Sequence, residues 1–205
     1  MPRAGLTRQI VVDAAATLAD DVGYDELTLA ALAKRLGVAL PSLYKHVAGL
    51  DAVKAELGLL AIRELGEVLS RAGVGRAQGD ALRGVAAAYR SYVAQHPGRY
   101  AATVRAVTAD DHLAAERLAA SEVTVGVLFA VLEGYALTGP DLVDAARAVR
   151  SALHGFSVLE NADGFGLPRD VSRSFDALVT GLDTALRSWG RDAVVVPTVP
   201  VGPRG

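Results

Sequence analysis

LTLAALAKRLGVALPSLYKH, residues Leu27 to His46, carries the signals of two short helices joined by a tight turn. The Thr28 hydroxyl can accept a backbone N–H from a first helical turn, so a helix is expected to start beside it. Leu29, Leu32, Ala33 and Leu36 recur at helical spacing and make one apolar face. Gly37 follows at once, the residue that most readily ends a helix in the left-handed conformation. Pro41, with its fixed φ and missing N–H, suits the first turn of a new helix. That second helix is expected over Leu40 to His46. Two short helices around a Gly-containing turn form a helix-turn-helix.

The second helix carries the chemistry. Leu43 and Val47 lie four apart and can pack inward, which leaves Ser42, Tyr44, Lys45 and His46 facing out. All four can donate hydrogen bonds, to phosphate oxygens or to the acceptor-rich edges of a DNA major groove. The plain alternative is a small amphipathic helix with a solvated face. The Thr cap, the Gly turn and the Pro start favour DNA.

Residues 6 to 57 also resemble the N-terminal domain of the TetR/AcrR-type transcriptional regulators. The resemblance rests on Ile10 to Leu18, the Gly23-Tyr24 break, Leu27-Thr28, Leu32-Ala33, Leu36-Gly37-Val38 and Leu43-Tyr44-Lys45-His46-Val47. The family usually places a Lys at the start of the fourth helix, where this chain has Gly49-Leu50-Asp51; Lys54, one turn later, is the candidate replacement. On this reading Thr28, Tyr44 and Lys45 hold phosphates, Ser42 and His46 reach base edges, and Leu40 and Pro41 lie against thymine methyls.

Composition agrees with an all-α protein. Of the 205 residues 51% are hydrophobic but only 5% aromatic, so the core is built from Ala, Val and Leu, and strand signals are nearly absent. The absence of cysteine excludes disulfides and Cys-based metal sites. The N-terminus has no apolar signal region, and the longest apolar run, Val123 to Leu132, is too short to span a bilayer. A cytoplasmic protein is expected. Net charge is −2, yet Leu27 to Leu50 holds Lys34, Arg35 and Lys45 and no acid. A local basic face on a mildly acidic chain suffices for short-range phosphate attraction.

Outward from this stretch, residues 1 to 6 form a basic arm, either a phosphate or minor-groove contact or simply disordered. Thr7 caps a first helix that runs to about Asp21, with Ile10, Ala14 and Leu18 on one face and Val11 and Ala15 beside them. A fourth helix should run from Leu50 to about Arg71. Gly73 to Gly79 is the clearest linker, and Asp80 is expected to cap the next helix, which reaches Gln95. His96-Pro97-Gly98 breaks the chain, Arg99 to Thr108 forms a short helix, and Asp110-Asp111 opens a long one to about Leu137. Its run VTVGVLFAVL is apolar all round and reads as a helix buried on every side. Leu142, Ala146, Val149, Leu153 and Phe156 form one further stripe; Val171, Phe175, Leu178, Leu182, Leu186 and Trp189 form another, started by Pro168. Their spacing suits antiparallel packing. Residues 191–205 are Pro-rich and read as a disordered tail.

Gly155 and Gly181 sit inside the last two helices, at a cost of about 1 kcal/mol each against Ala. Close approach of another helix or neutral drift would explain them. Leu153-His154-Gly155-Phe156 with Gly164-Phe165-Gly166-Leu167-Pro168 is similar to the WHG-type C-terminal subfamily of the same regulators. That resemblance implies a four-helix dimer interface, with a seam on Leu153, Gly155, Phe156, Leu178, Gly181 and Leu182.

No catalytic constellation, metal-ligand spacing or cofactor motif is present, and Asp110-Asp111-His112 reads as a helix cap. The expectation is about nine helices: a helix-turn-helix domain over 1–49, a ligand-binding and dimerisation domain over 50–190, and the tail. The function expected is a homodimeric repressor, released from an inverted-repeat operator by a small apolar ligand held near Tyr92, Tyr100 and Phe129. The competing reading is an all-α ligand-binding or enzymatic bundle whose helix-turn-helix no longer contacts DNA.

Overall fold

The computed structural model describes residues 5–106 and 111–189, and all regular structure among them is helical. Residues 1–4 of the basic arm, Asp110, the expected helix end at Thr108 and the tail lie outside the described residues. Three helices form the head: α1 (Arg8–Val22), α2 (Leu29–Leu36) and α3 (Leu40–Leu43). Six follow: α4 (Leu50–Gly73), α5 (Gln78–Gln95), α6 (Pro97–Thr103), α7 (Ala114–Glu133), α8 (Gly139–Asn161) and α9 (Val171–Ser188).

The caps act as the side chains dictate. The Thr7 and Thr28 hydroxyls accept the N–H groups of Ile10 and Ala31. On α1 the expected Leu18, Val11 and Ala15 are buried together with Val12, Ala16 and Ala19, while Ile10 is exposed, so the buried face is centred on the expected flank. Helix α1 packs against α6 as well as α2 and α4, so the buried arc widens beyond a single stripe. The interdomain linker is shorter than expected, because Gly73 ends α4 and Gln78 and Gly79 open α5; Asp80 lies in the first turn rather than at the cap, which is Ala77. Helix α9 starts at Val171, where the Asp170 carboxylate accepts the Arg173 N–H, and not at Pro168.

Two apolar clusters hold the chain together. One joins Leu18, Leu27, Leu32, Leu43 and Val47 of the head to Val53 and Leu57 of α4. The other joins Leu65 and Leu69 of α4 to Leu82, Val85, Leu132, Val149, Leu153, Phe175 and Leu186. Helix α4 therefore serves both cores: its first two turns pack with the head.

Helix α7 departs most from expectation. Only Arg117, Val131 and Leu132 are buried on it, and Val123 is 70% exposed. It lies chiefly along α4 with one side open. Its buried charge is paired, since the Arg117 guanidinium bonds the Asp111 carboxylate, which also accepts the Leu113 N–H.

Two carboxyls are held below the usual range. At Asp111 burial pushes upward, but the Leu113 N–H and Arg117 outweigh it. At Asp183 the Tyr135 hydroxyl, donating at 2.6 Å, is the main cause; Arg187 adds to it against burial. A depressed folded-state value contributes stability above the unfolded carboxyl value of about 4, and that contribution disappears as pH falls through the folded value. Thermal midpoints of the wild type and Asp183→Asn should therefore differ most at neutral pH and converge as pH falls through the lowered folded-state value of Asp183. A gap that stays constant with pH would contradict the assignment.

Candidate nucleic-acid interface and interior cavity

The turn between α2 and α3 is set by Gly37, at φ 67° and ψ 31°. The N–H groups of Gly37 and Val38 bond the carbonyls of Lys34 and Ala33, at 3.2 and 3.0 Å. Such pairing satisfies the orphan carbonyls of a helix end. Ala39 is extended, and Leu40 with Pro41 starts α3.

Helix α3 is shorter than the expected Leu40–His46. Regular helix ends at Leu43; Tyr44 flattens to ψ −12°, and the His46 N–H bonds the Leu43 carbonyl at 2.8 Å. The cause is Val47, which must enter the core four residues after Leu43, together with Gly49, whose φ of 143° redirects the chain into α4. Leu43 is fully buried and pins the element from beneath.

Above that anchor stand the polar side chains. Tyr44 is 58% exposed, Lys45 is exposed, and Ser42 and His46 are half-buried rather than fully outward. Leu40 and Pro41 are exposed at the start of α3, and Thr28 is exposed at the start of α2. Tyr44, Lys45 and His46 share a groove with Arg8, Glu56 and His112. Arg8 pairs with Glu56 at 2.7 Å, and Arg35 of the expected basic face pairs with Asp21 at 2.6 Å. Lys54 sits over the Tyr24 ring, 4.9 Å from its centroid, so this cation is engaged within the head. Leu50, at the position the family usually gives to Lys, packs on the head core.

The head is tied to the rest of the chain through α6. Asp20, near the end of α1, accepts the Arg99 N–H at 2.9 Å and meets the Arg99 guanidinium at 3.0 Å and His96 Nδ1 at 3.2 Å. Arg99 also reaches Glu64 of α4 at 3.2 Å. Gly98 lies directly against Ala19.

Behind α6 is a cavity of about 120 Å³. Ile62, Leu65 and Leu69 of α4, Val85 and Tyr89 of α5, and Tyr100 and Thr103 of α6 form one side. Ser121, Thr124, Val125 and Leu128 of α7 with Arg150 and Leu153 of α8 form the other. Tyr100 is thus among its lining residues. Tyr92 is not: its hydroxyl bonds Glu64 and the Ala61 carbonyl in a separate groove with His96 and Arg99. Phe129 packs on the core and lines no part of this cavity. Sequence reading passed over Arg150 and His154, because it looked for aromatic surface alone. Tyr89 bonds Tyr100, whose hydroxyl meets His154 Nδ1 at 2.5 Å. Burial drives both phenols above their ordinary range.

A capped two-helix reading element, pinned from beneath and coupled to a helical domain with an interior cavity, defines a DNA-binding transcriptional regulator. Residues 11–47 match the family model for bacterial regulatory proteins of the tetR family, and residues 82–182 match the tetracyclin repressor-like C-terminal domain. The chain is 41% identical over 157 residues to the HTH-type transcriptional regulator Rv0681 of Mycobacterium tuberculosis, covering 77% of this chain and 71% of that one. It is 33% identical over 173 residues to the HTH-type transcriptional regulator YobS of Bacillus subtilis, covering 84% and 88%. A TetR variant from Acinetobacter baumannii AYE in complex with minocycline has the same fold, with a TM-score of 0.63 at 22% identity over 91% of this chain and 98% of that one. The chain belongs to the TetR family of transcriptional regulators.

Proposed function

We propose that the protein is a homodimeric repressor whose two heads grip an inverted repeat and are released by a small molecule in the cavity behind α6. The observation that carries this reading is shared walls. Helices α4 and α6 line the cavity and are also the helices joined to α1 through Asp20, Arg99 and Glu64. A ligand that fits only one arrangement of these walls shifts the population toward it and changes where the heads stand. The minocycline complex of the TetR variant is in keeping with a ligand-responsive member of this fold.

On DNA, Thr28, Tyr44 and Lys45 would hold phosphates, Ser42 and His46 would reach base edges, and Leu40 and Pro41 would meet thymine methyls. Lys54 would steady Tyr24 in the free protein and leave that ring only for a phosphate. A protein that reads operator DNA works in the cytoplasm.

The dimer seam would run along α8 and α9. A Cβ at Gly155 or Gly181 would meet nothing within 4 Å among the described residues, so neither glycine serves a contact with them. Leu153 leaves the expected seam, since at 2% exposure it faces its own core. Leu159, exposed one turn beyond Gly155, takes its place beside Phe156, Leu178 and Leu182.

Replacing both glycines, as Gly155→Leu with Gly181→Leu, tests this. Sedimentation should show folded monomers with undiminished helical circular dichroism and lost operator binding. An undisturbed dimer would overturn the assigned seam.

A further inference from the structure

The wall of the cavity holds one formal charge. Arg150 stands on its α8 side, and no Asp or Glu among the described residues lines it. Arg147, three residues earlier, pairs with Asp144. Arg150 has no carboxylate partner among the described residues. A guanidinium cannot discharge by losing its proton. Arg150 is itself exposed, so it stands at the solvent-facing rim of the cavity, where an acidic ligand can meet it without leaving water entirely.

The other polar groups fit an acceptor. Tyr89 and Tyr100 both lie in the wall, and their hydroxyls form a chain that ends on His154 Nδ1. If His154 donates, Tyr100 donates to Tyr89, and the Tyr89 proton is left for the ligand. The positive charge of Arg150 is felt at both phenols. Most of the remaining wall is aliphatic. A volume of about 120 Å³ is close to that of a cavity that encloses benzene, roughly 150 Å³.

We propose that the cavity binds a small monocarboxylic acid, with its carboxylate on Arg150 and the Tyr89 hydroxyl and its aromatic or short aliphatic body among Leu65, Val125 and Leu128. The proposal rests on the reading of this cavity as the regulator's ligand site, and it replaces a purely apolar ligand by an acidic one.

Calorimetry on the full chain tests it with matched probes: benzoate against benzyl alcohol, and hexanoate against hexanol. One acid of the two pairs should bind at least about tenfold more tightly than its alcohol, since a charge-assisted hydrogen bond commonly contributes that much. Arg150→Gln should erase the preference and leave alcohol binding unchanged, and Arg150→Lys should restore part of it. Equal binding of acid and alcohol, or a preference that survives Arg150→Gln, overturns the acidic ligand while the ligand site stands. No saturable binding of any probe at millimolar concentration overturns both.

Discussion

Replacing Tyr44 and Lys45 together by alanine should weaken operator binding by about 100-fold and lower the salt slope by about one phosphate. Both side chains stand clear of the core, on a turn held by the buried Leu43 and Val47. Their removal takes away a hydroxyl and a cation without touching that anchor. Exposed substitutions of this kind usually change stability by less than about 0.5 kcal/mol. Thermal midpoint, dimerisation and ligand affinity should therefore match the wild type while the DNA titration collapses. Unchanged DNA binding would mean that the head meets DNA through another surface.

Gly98→Ala should damage the protein where its two parts are joined. A Cβ built on Gly98 would lie 2.0 Å from the Ala19 carbonyl oxygen and 2.5 Å from the Asp20 nitrogen. Both are backbone atoms of α1, which no rotamer change can move aside. Helix α6 must then lift off α1 and stretch the Arg99 N–H bond to Asp20, now 2.9 Å. Forcing atoms into a filled contact of this kind costs about 3 kcal/mol. For a chain of this size that corresponds to a drop of roughly 6–12 °C in thermal midpoint. Ligand should also lose its influence on DNA affinity, because the wall that senses it no longer holds the head. A midpoint within a degree or two of the wild type would show that α6 is not seated against α1 as described.

Much of the head was legible because its signals are local. Thr7, Thr28 and Gly37 act within a turn of their own positions, and the Leu43–Val47 spacing places both in the core. The length of α3 was not legible: the turn after Leu43 depends on Gly49 redirecting the chain, a longer-range constraint. In the second domain, apolar density misled. VTVGVLFAVL reads as fully buried, yet one side of α7 lies against α4 while Val123 faces outward. Hydropathy cannot say which neighbours a helix has. Arg117 is the opposite case, a charge buried on the same helix because the Asp111 carboxylate stands beside it.

The cavity was half legible. Tyr100 lines it, but helical phase on neighbouring elements turns Tyr92 toward Glu64 and sets Phe129 against the core. Arg150 has no sequence signature that separates it from Arg147 on the same helix. Only the packing of five helices brings Arg150 to the cavity wall.

The central claim is that the α2–α3 element reads DNA specifically. A gel-shift titration of the full chain on the DNA flanking its own gene, with excess competitor DNA and repeated over a range of salt, tests it most directly. A discrete complex of two chains on an inverted repeat is expected, of nanomolar affinity, resistant to competitor and weakening steadily with salt. Binding that competitor DNA removes equally well, both there and on sites selected from a random pool, would contradict it.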